Sequence, residues 1–437
     1  MDETSFPNAK PRRALLIAYR AFSDLAGKGS LFVITIVAAR RLSPESFGVF
    51  SLGSALGWIV AVVSDGGIQL HLARAVARRP EQARQLLREW LWVRLWTAAF
   101  AIAGVTLAVA TRWRGPSAAP IAILALVYAC SGLIELLHYF YRGLSRSEVE
   151  SSLTLWQRGG TLACGLIALA WHPDVTRLAI AMLIPVVATL AWSVRIASRM
   201  TDESRLRDDS RDADRPPPAD QPPRTPGTFT TFRRDIWPIG AGIVLSALYF
   251  RIDVFLVQLW SGTESVALYN AVFRLVEALR LFPAAVLAVM LPALVRAGNL
   301  RPLARVAVPL TAFAVAATGL LWLSAGWMIP WLYGARYAPA VPAFRVLLLS
   351  FPLLSLNLAL THQLVGWDGQ RAYAGLCLLA LAINVALNAR LIPIWSIEGA
   401  AWATLGTEMV LTTGCAVALL TARAPSLTRP LPLATEA

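Results

Sequence analysis

The sequence predicts an all-α polytopic membrane protein, with about twelve transmembrane helices in two six-helix lobes around a central cavity. Three observations carry this. Of the 437 residues, 57% are hydrophobic and only 15% are charged, a balance on the apolar side of a soluble domain. The apolar residues gather in runs of roughly 20 residues, the length a helix needs to cross a hydrocarbon core about 30 Å thick. One long polar stretch near the middle divides those runs into two sets.

In chain order, the first set of spans is predicted at 14–39, 47–69, 90–110, 119–140, 153–171 and 177–197. The polar start MDETSFPNAKPRR leads into the first run with no small-residue cleavage site, which reads as an uncleaved first helix. Residues 198–234 include DESRLRDDSRDADRPPPADQPPRTPG, where mixed charge, repeated proline and few large apolar residues predict a disordered cytoplasmic linker. The second set is predicted at 236–260, 266–291, 303–329, 341–365, 372–392 and 399–421. The expected organisation is therefore an N-terminal lobe at 1–197, a linker at 198–234 and a C-terminal lobe at 235–437.

The formal net charge of +14 does not point to nucleic acid, because the arginines sit in short segments between apolar runs and not on a soluble domain. Arg12, Arg13, Arg74, Arg78, Arg79, Arg84, Arg88, Arg142, Arg146, Arg296, Arg301, Arg305 and Arg371 all fall on one side of the alternating topology. Arg40, Arg41, Arg112, Arg114, Arg177 and Arg336 are the main cations on the other. The positive-inside rule then places both termini in the cytoplasm.

The two halves share a motif. PESFGVF (Pro44 to Phe50) enters the second helix and TESVALY (Thr263 to Tyr269) enters the eighth, each in the first loop of its own half. With six helices per half, the halves run in the same sense. Pro185, Pro238, Pro283, Pro309 and Pro352 fall in or near spans, where kinks serve either hinging or static packing. Cys130, Cys164, Cys377 and Cys415 stand isolated in apolar surroundings and read as reduced packing residues. His71, His138, His172 and His362 are scattered, so spacing builds no metal site and nothing calls for a cofactor. Trp113, Trp171, Trp237, Trp260, Trp331 and Trp395, near helix ends, read as interfacial anchors. Asn384 and Asn388 are expected to hydrogen-bond between helices.

Charges inside the spans are the candidate functional residues. Each costs about 2.5 to 3.5 kcal/mol on insertion scales, so such groups face a bundle interior or a wet cavity. Arg20, Asp24 and Lys28 share one face of the first helix, Glu135, His138 and Arg142 one face of the fourth, and Arg274, Glu277 and Arg280 lie close together on the eighth. Arg251 and Asp253 on the seventh helix fall at about the depth of Arg274 and Glu277, some 12 to 17 Å below the outer surface. Asp65 and Glu408 are further intramembrane carboxylates. One reading is a set of salt bridges that fix helix register. The other is that Arg20, Lys28, Arg251, Arg274 and Arg280 bind an anionic head group, while Asp24, Asp65, Glu135, Asp253, Glu277 or Glu408 carries a coupling cation.

Four segments also resemble a known family. RRLSPESFGVFSLGSALGWIVAVVSDGGIQ (Arg40 to Gln69), RIDVFLVQLWSGTESVALYNAVFRLVEALRLFP (Arg251 to Pro283), LYGARYAPAVPAFRVLLLS (Leu332 to Ser350) and LIPIWSIEGAAWATLGTE (Leu391 to Glu408) resemble, in order, signatures of the bacterial polysaccharide and O-antigen flippases of the multidrug/oligosaccharidyl-lipid/polysaccharide exporter superfamily. The resemblance implies two six-helix lobes alternating between inward-open and outward-open states in the bacterial inner membrane. Its implied substrate is an oligosaccharide unit on a polyprenyl diphosphate, moved to the periplasmic leaflet for O-antigen or exopolysaccharide synthesis. A proton or sodium gradient would drive it, and a polysaccharide polymerase and chain-length regulator would be its partners. Arg251, Asp253 and Arg274 match positions of the family pattern, whereas Arg20 and Lys28 rest on the helix-face argument alone. PIWSIEGAA departs from the pattern, which has glycine after the aromatic residue.

Other functions fit less well. A peptidoglycan-precursor flippase would usually have two more helices. A membrane glycosyltransferase or polymerase would need a large catalytic loop rich in Asp, Arg and His, and the one long loop here is proline-rich and lacks histidine. A cation-coupled drug exporter would favour an acidic, aromatic cavity over an arginine-rich one.

Overall fold

A computed structural model describes residues 9–112, 117–212, 237–296, 299–367 and 369–421, and among these the chain is helical with short turns and no strand. The first set of apolar runs forms α1 (Ala9–Arg41), α2 (Pro44–Asp65), α3 (Ile68–Arg78), α4 (Ala83–Arg112), α5 (Ala118–Gly143), α6 (Ser147–Trp171) and α7 (Val175–Asp212). The second forms α8 (Trp237–Leu279), α9 (Leu281–Val295), α10 (Arg301–Tyr333), α11 (Val341–Gly366) and α12 (Gln370–Thr421). Eight stretches are long and apolar enough to cross a membrane, and two of them, at 240–290 and 370–421, are of double length.

Those two are hairpins. Helical geometry breaks at Gly262 in α8 (φ 82°, ψ 178°) and at Ser396 in α12 (φ 49°, ψ −125°). Side chains then pair symmetrically about each break: Phe250 with Phe273 and Arg251 with Asn270 in the first, Asn384 with Thr407 in the second. With the limbs counted separately and the more polar α1 and α6 added, the described residues form twelve spans, six before the 213–236 stretch and six after it. The chain is a multi-pass membrane protein.

The chain divides into two compact units, Met1–Gly240 and Ala241–Ala437. In the first, α5 packs against α2, α3, α4, α6 and α7. Gly66 and Gly67, both at positive φ, end α2 and turn the chain into the short helix α3. α3 is amphipathic: Ile68, Leu72 and Val76 are buried against Leu136, Leu137, Phe140 and Tyr141, while Arg74 and Arg78 are exposed. The apolar stretch of α7 ends at Thr201, about a turn past the expected 197, but the helix itself runs on into the expected linker. No proline or glycine interrupts Met200 to Asp212, so the helix continues there, and the rest of the expected linker, 213–234, lies outside the described residues.

In the second unit, α11 packs against α9, α10 and α12 around a core that includes Cys377 and Cys415, both free thiols. The span expected at 266–291 is broken at Arg280, between α8 and α9. Pro283 lacks the N–H that would bond to the Leu279 carbonyl, and its ring crowds that carbonyl. The shared motif is buried in register: Phe47, Gly48 and Phe50 in one unit, Val266, Ala267 and Tyr269 in the other. Trp171, Trp260, Trp331 and Trp395 are exposed near helix ends, as anchors require, whereas Trp113 and the Trp237 side chain lie outside the described residues. Asn384 donates to Thr407 on the other limb of α12, while Asn388 donates back to Asn384 along its own limb.

Candidate functional site

The α8 hairpin brings its charged residues together. Arg251 on the first limb is 3% exposed, and its NH2 donates to Glu277 Oε2 on the second limb at 2.9 Å. Arg274 NH1 donates to the same oxygen at 2.7 Å. One carboxylate oxygen is thus held by two guanidinium groups, and the Glu277 side chain is still 33% exposed. The cations are further sheltered by aromatic faces. Arg251 lies 4.8 Å from the Phe273 centroid, and Arg280, at the helix break, lies 4.5 Å from that of Phe250. Three arginines against one carboxylate leave an excess of positive charge, suited to an acidic ligand of higher charge than a carboxylate.

Among the described residues Asp253 makes no salt bridge to an arginine. It is 2% exposed and accepts from the Tyr269 hydroxyl and from the Val254 backbone N–H at 2.8 Å. Tyr269 also lies 3.3 Å from Thr404 Oγ1 on α12. One turn further along α12, Glu408 accepts from Asn357 of α11 at 3.0 Å, and Thr361 donates to Asn357 at 3.3 Å. A polar ladder therefore runs through α8, α12 and α11, with each carboxylate satisfied.

In the first unit the expected residues separate. Asp65 accepts from Gly67 N at 3.1 Å and Gln69 N at 3.2 Å, so it caps α3. His138 is buried, and Arg142 makes two hydrogen bonds to Glu150, pinning α5 to α6. Glu135 is exposed in the middle of α5. Lys28 is exposed on α1, while the side chains of Arg20 and Asp24 lie outside the described residues.

Sequence reasoning missed Arg94. This α4 residue is 1% exposed, donates from NH2 to the Ala61 carbonyl of α2 at 2.9 Å, and leaves Nε and NH1 without a hydrogen-bond partner among the described residues. Each buried donor left unmade costs about 1–3 kcal/mol. The signal was present, because Arg94 is a lone charge between Leu91, Trp92, Leu95 and Trp96. Its closeness to the basic loop at Arg84 and Arg88 disguised it. Tyr269 and Asn357 were also missed, since an isolated Tyr or Asn in an apolar run carries no pattern.

Comparison with known proteins adds family and fold. Residues 17–297 match the family model described as "Polysaccharide biosynthesis protein". No curated protein matches the sequence. Among solved structures, the inward closed conformation of the lipid II flippase MurJ is similar with a TM-score of 0.70 at 11% identity, over 93% of this chain and 88% of that one. The inward-facing conformation of a multidrug resistance MATE family transporter of the MOP superfamily is similar with a TM-score of 0.66 at 14% identity, over 92% of this chain and 93% of that one. An outward-facing MATE structure is similar with a TM-score of 0.60 at 15% identity, over 93% and 94%. At these identities the likeness speaks for the fold, two lobes of six helices.

Proposed function

Because the chain belongs to the family of polysaccharide biosynthesis proteins, we propose that it is a flippase that moves polyprenyl-diphosphate-linked oligosaccharide units from the cytoplasmic to the periplasmic leaflet of the bacterial inner membrane. The observation that carries this is the convergence of Arg251 and Arg274 on one oxygen of Glu277. Two guanidinium forks at a partly exposed, mid-span position are a cradle for an acidic group, and Glu277 fills it internally. A diphosphate, with more charge and more acceptor oxygens, competes for the same donors and displaces the carboxylate. Arg280 extends the cradle by one step. Both termini face the cytoplasm, a cation gradient drives the cycle, and a polymerase and chain-length regulator receive the product.

Arg251→Gln and Arg274→Gln are expected to abolish surface polysaccharide while the protein accumulates in the membrane at its normal level. Normal export from both variants would remove the cluster from the mechanism. The fold shared with a lipid II flippase favours a second reading, transport of a peptidoglycan precursor on the same kind of diphosphate anchor. Complementation separates the two: rescue of a strain lacking its oligosaccharide-lipid flippase supports the first reading, and rescue of a strain depleted of its lipid II flippase supports the second. Drug export remains the outcome only if cells expressing the chain extrude lipophilic cations.

A further inference from the structure

Two residues of the first unit are anomalous in complementary ways. Arg94 is a buried cation with two nitrogen atoms lacking an acceptor among the described residues. Glu135 is an exposed carboxylate at mid-helix that makes no hydrogen bond or ion pair among the described residues. They are neighbours. A Cβ at Gly132 of α5 would stand 2.6 Å from Arg94 NH2, so the guanidinium rests against the α5 backbone at that glycine. Glu135 follows Gly132 by about one turn on the same helix, and the charges of Glu135 and Arg94 act on each other.

The other candidate carboxylates with described side chains are already held: Asp65 by the α3 backbone, Asp253 by Tyr269, Glu277 by two arginines and Glu408 by Asn357. Charged and titratable groups face Glu135 from several sides. Asp65 lies on α2, Arg94 on α4, Tyr139 and Arg142 on α5 itself, and Arg158 on α6. α3 presents the apolar Ile68, Leu72 and Val76 to the bundle, and α7 presents Ser193, which meets Tyr141. The surroundings are richer in arginines than in oxygen ligands. A metal cation such as sodium would have to coordinate among guanidinium groups, whereas a proton needs only the carboxylate itself.

We propose that Glu135 is the carboxylate that takes up and releases the coupling proton, and that Arg94 is its positioning residue, whose open donors Glu135 occupies when ionised and leaves when protonated. The proposal rests on the flippase reading for its use. The pairing itself does not.

Thermal unfolding in detergent tests the pairing without substrate, using Arg94→Gln, Glu135→Gln and the double variant. Arg94→Gln strands an anion and Glu135→Gln strands a buried cation, so the double variant is expected to lose less melting temperature than the two single losses summed. Strictly additive losses would overturn the pairing. The same melts at acidic and neutral pH test the proton: Glu135→Gln is expected to remove a pH-dependent part of the wild-type shift, and an unchanged shift would overturn the assignment. In proteoliposomes carrying a polyprenyl-diphosphate oligosaccharide, flipping by wild type is expected to accelerate under a pH gradient. Arg94→Lys is expected to keep that response, and Arg94→Gln and Glu135→Gln to lose it. Acceleration by a sodium gradient alone would overturn the proton. Absence of flipping by wild type, with non-additive and pH-dependent melting intact, would count against the flippase reading and for the pair.

Discussion

Asp253 owes its burial to one hydroxyl. The Tyr269 O–H is its only side-chain donor among the hydrogen bonds described here, the other being the Val254 backbone N–H. Tyr269→Phe is therefore expected to cost about 1–3 kcal/mol, read as a lower melting temperature in detergent at unchanged fold. The first unit shows the apolar alternative. In the register set by Glu45–Ser46 and Glu264–Ser265, Tyr269 corresponds to Phe50, Asp253 to Ile34, Arg251 to Phe32, Arg274 to Ala55 and Glu277 to Trp58. One copy of the hairpin is thus charged where the other is apolar. Ser396 carries a different cost. Its φ of 49° and ψ of −125° belong to glycine, and Ser396→Gly is expected to stabilise the protein by about 1 kcal/mol, seen as a rise in melting temperature. The sequence flagged this position, because glycine is what the family pattern has after the aromatic residue.

At the scale of elements, the two hairpins depend on glycine for different reasons. Gly262 is needed for its positive φ and has open space around it, whereas a Cβ on Gly399 would run into the backbone of Leu391 across the α12 turn. Gly399→Ala is expected to be the more damaging change, because backbone cannot step aside as a side chain can. Membrane yield and melting temperature would fall more for Gly399→Ala than for Gly262→Ala, and the reverse order would contradict the close approach. Apolar length located the spans, but not where the helices within them break or end. Continuous hydrophobicity hid the break at Arg280, where Pro283 was the only sign, and mixed charge suggested disorder from 198, where the absence of proline before Pro216 allows helix to continue to Asp212.

For the whole molecule, orientation is the property that charge bias determines most directly. The turns at Ser261 and Ser396 are expected on the periplasmic side, and Arg371 on the cytoplasmic side. Single cysteines placed at Ser261 and Ser396, in a chain otherwise lacking cysteine, should react with an impermeant maleimide on intact spheroplasts, and one at Arg371 only after the membrane is opened. Labelling in the opposite sense would invert the topology and place the Glu277 cluster nearer the cytoplasmic face.

By itself the sequence determined that this chain crosses a membrane about twelve times in two related halves, and that arginines and carboxylates lie where lipid cannot accept them. Those conclusions follow from local quantities: run length, spacing along a helix and the cost of a charge in hydrocarbon. Only the tertiary structure decided which charges meet. It joined Arg251 and Arg274 on Glu277, gave Asp253 to Tyr269, turned Asp65 into a helix cap, and set Arg94 beside Gly132 within electrostatic reach of Glu135. The reason is geometric. A helix periodicity shows which residues share a face, but the partner across a hairpin or on another helix is chosen by the turn, the register and the space that glycine leaves.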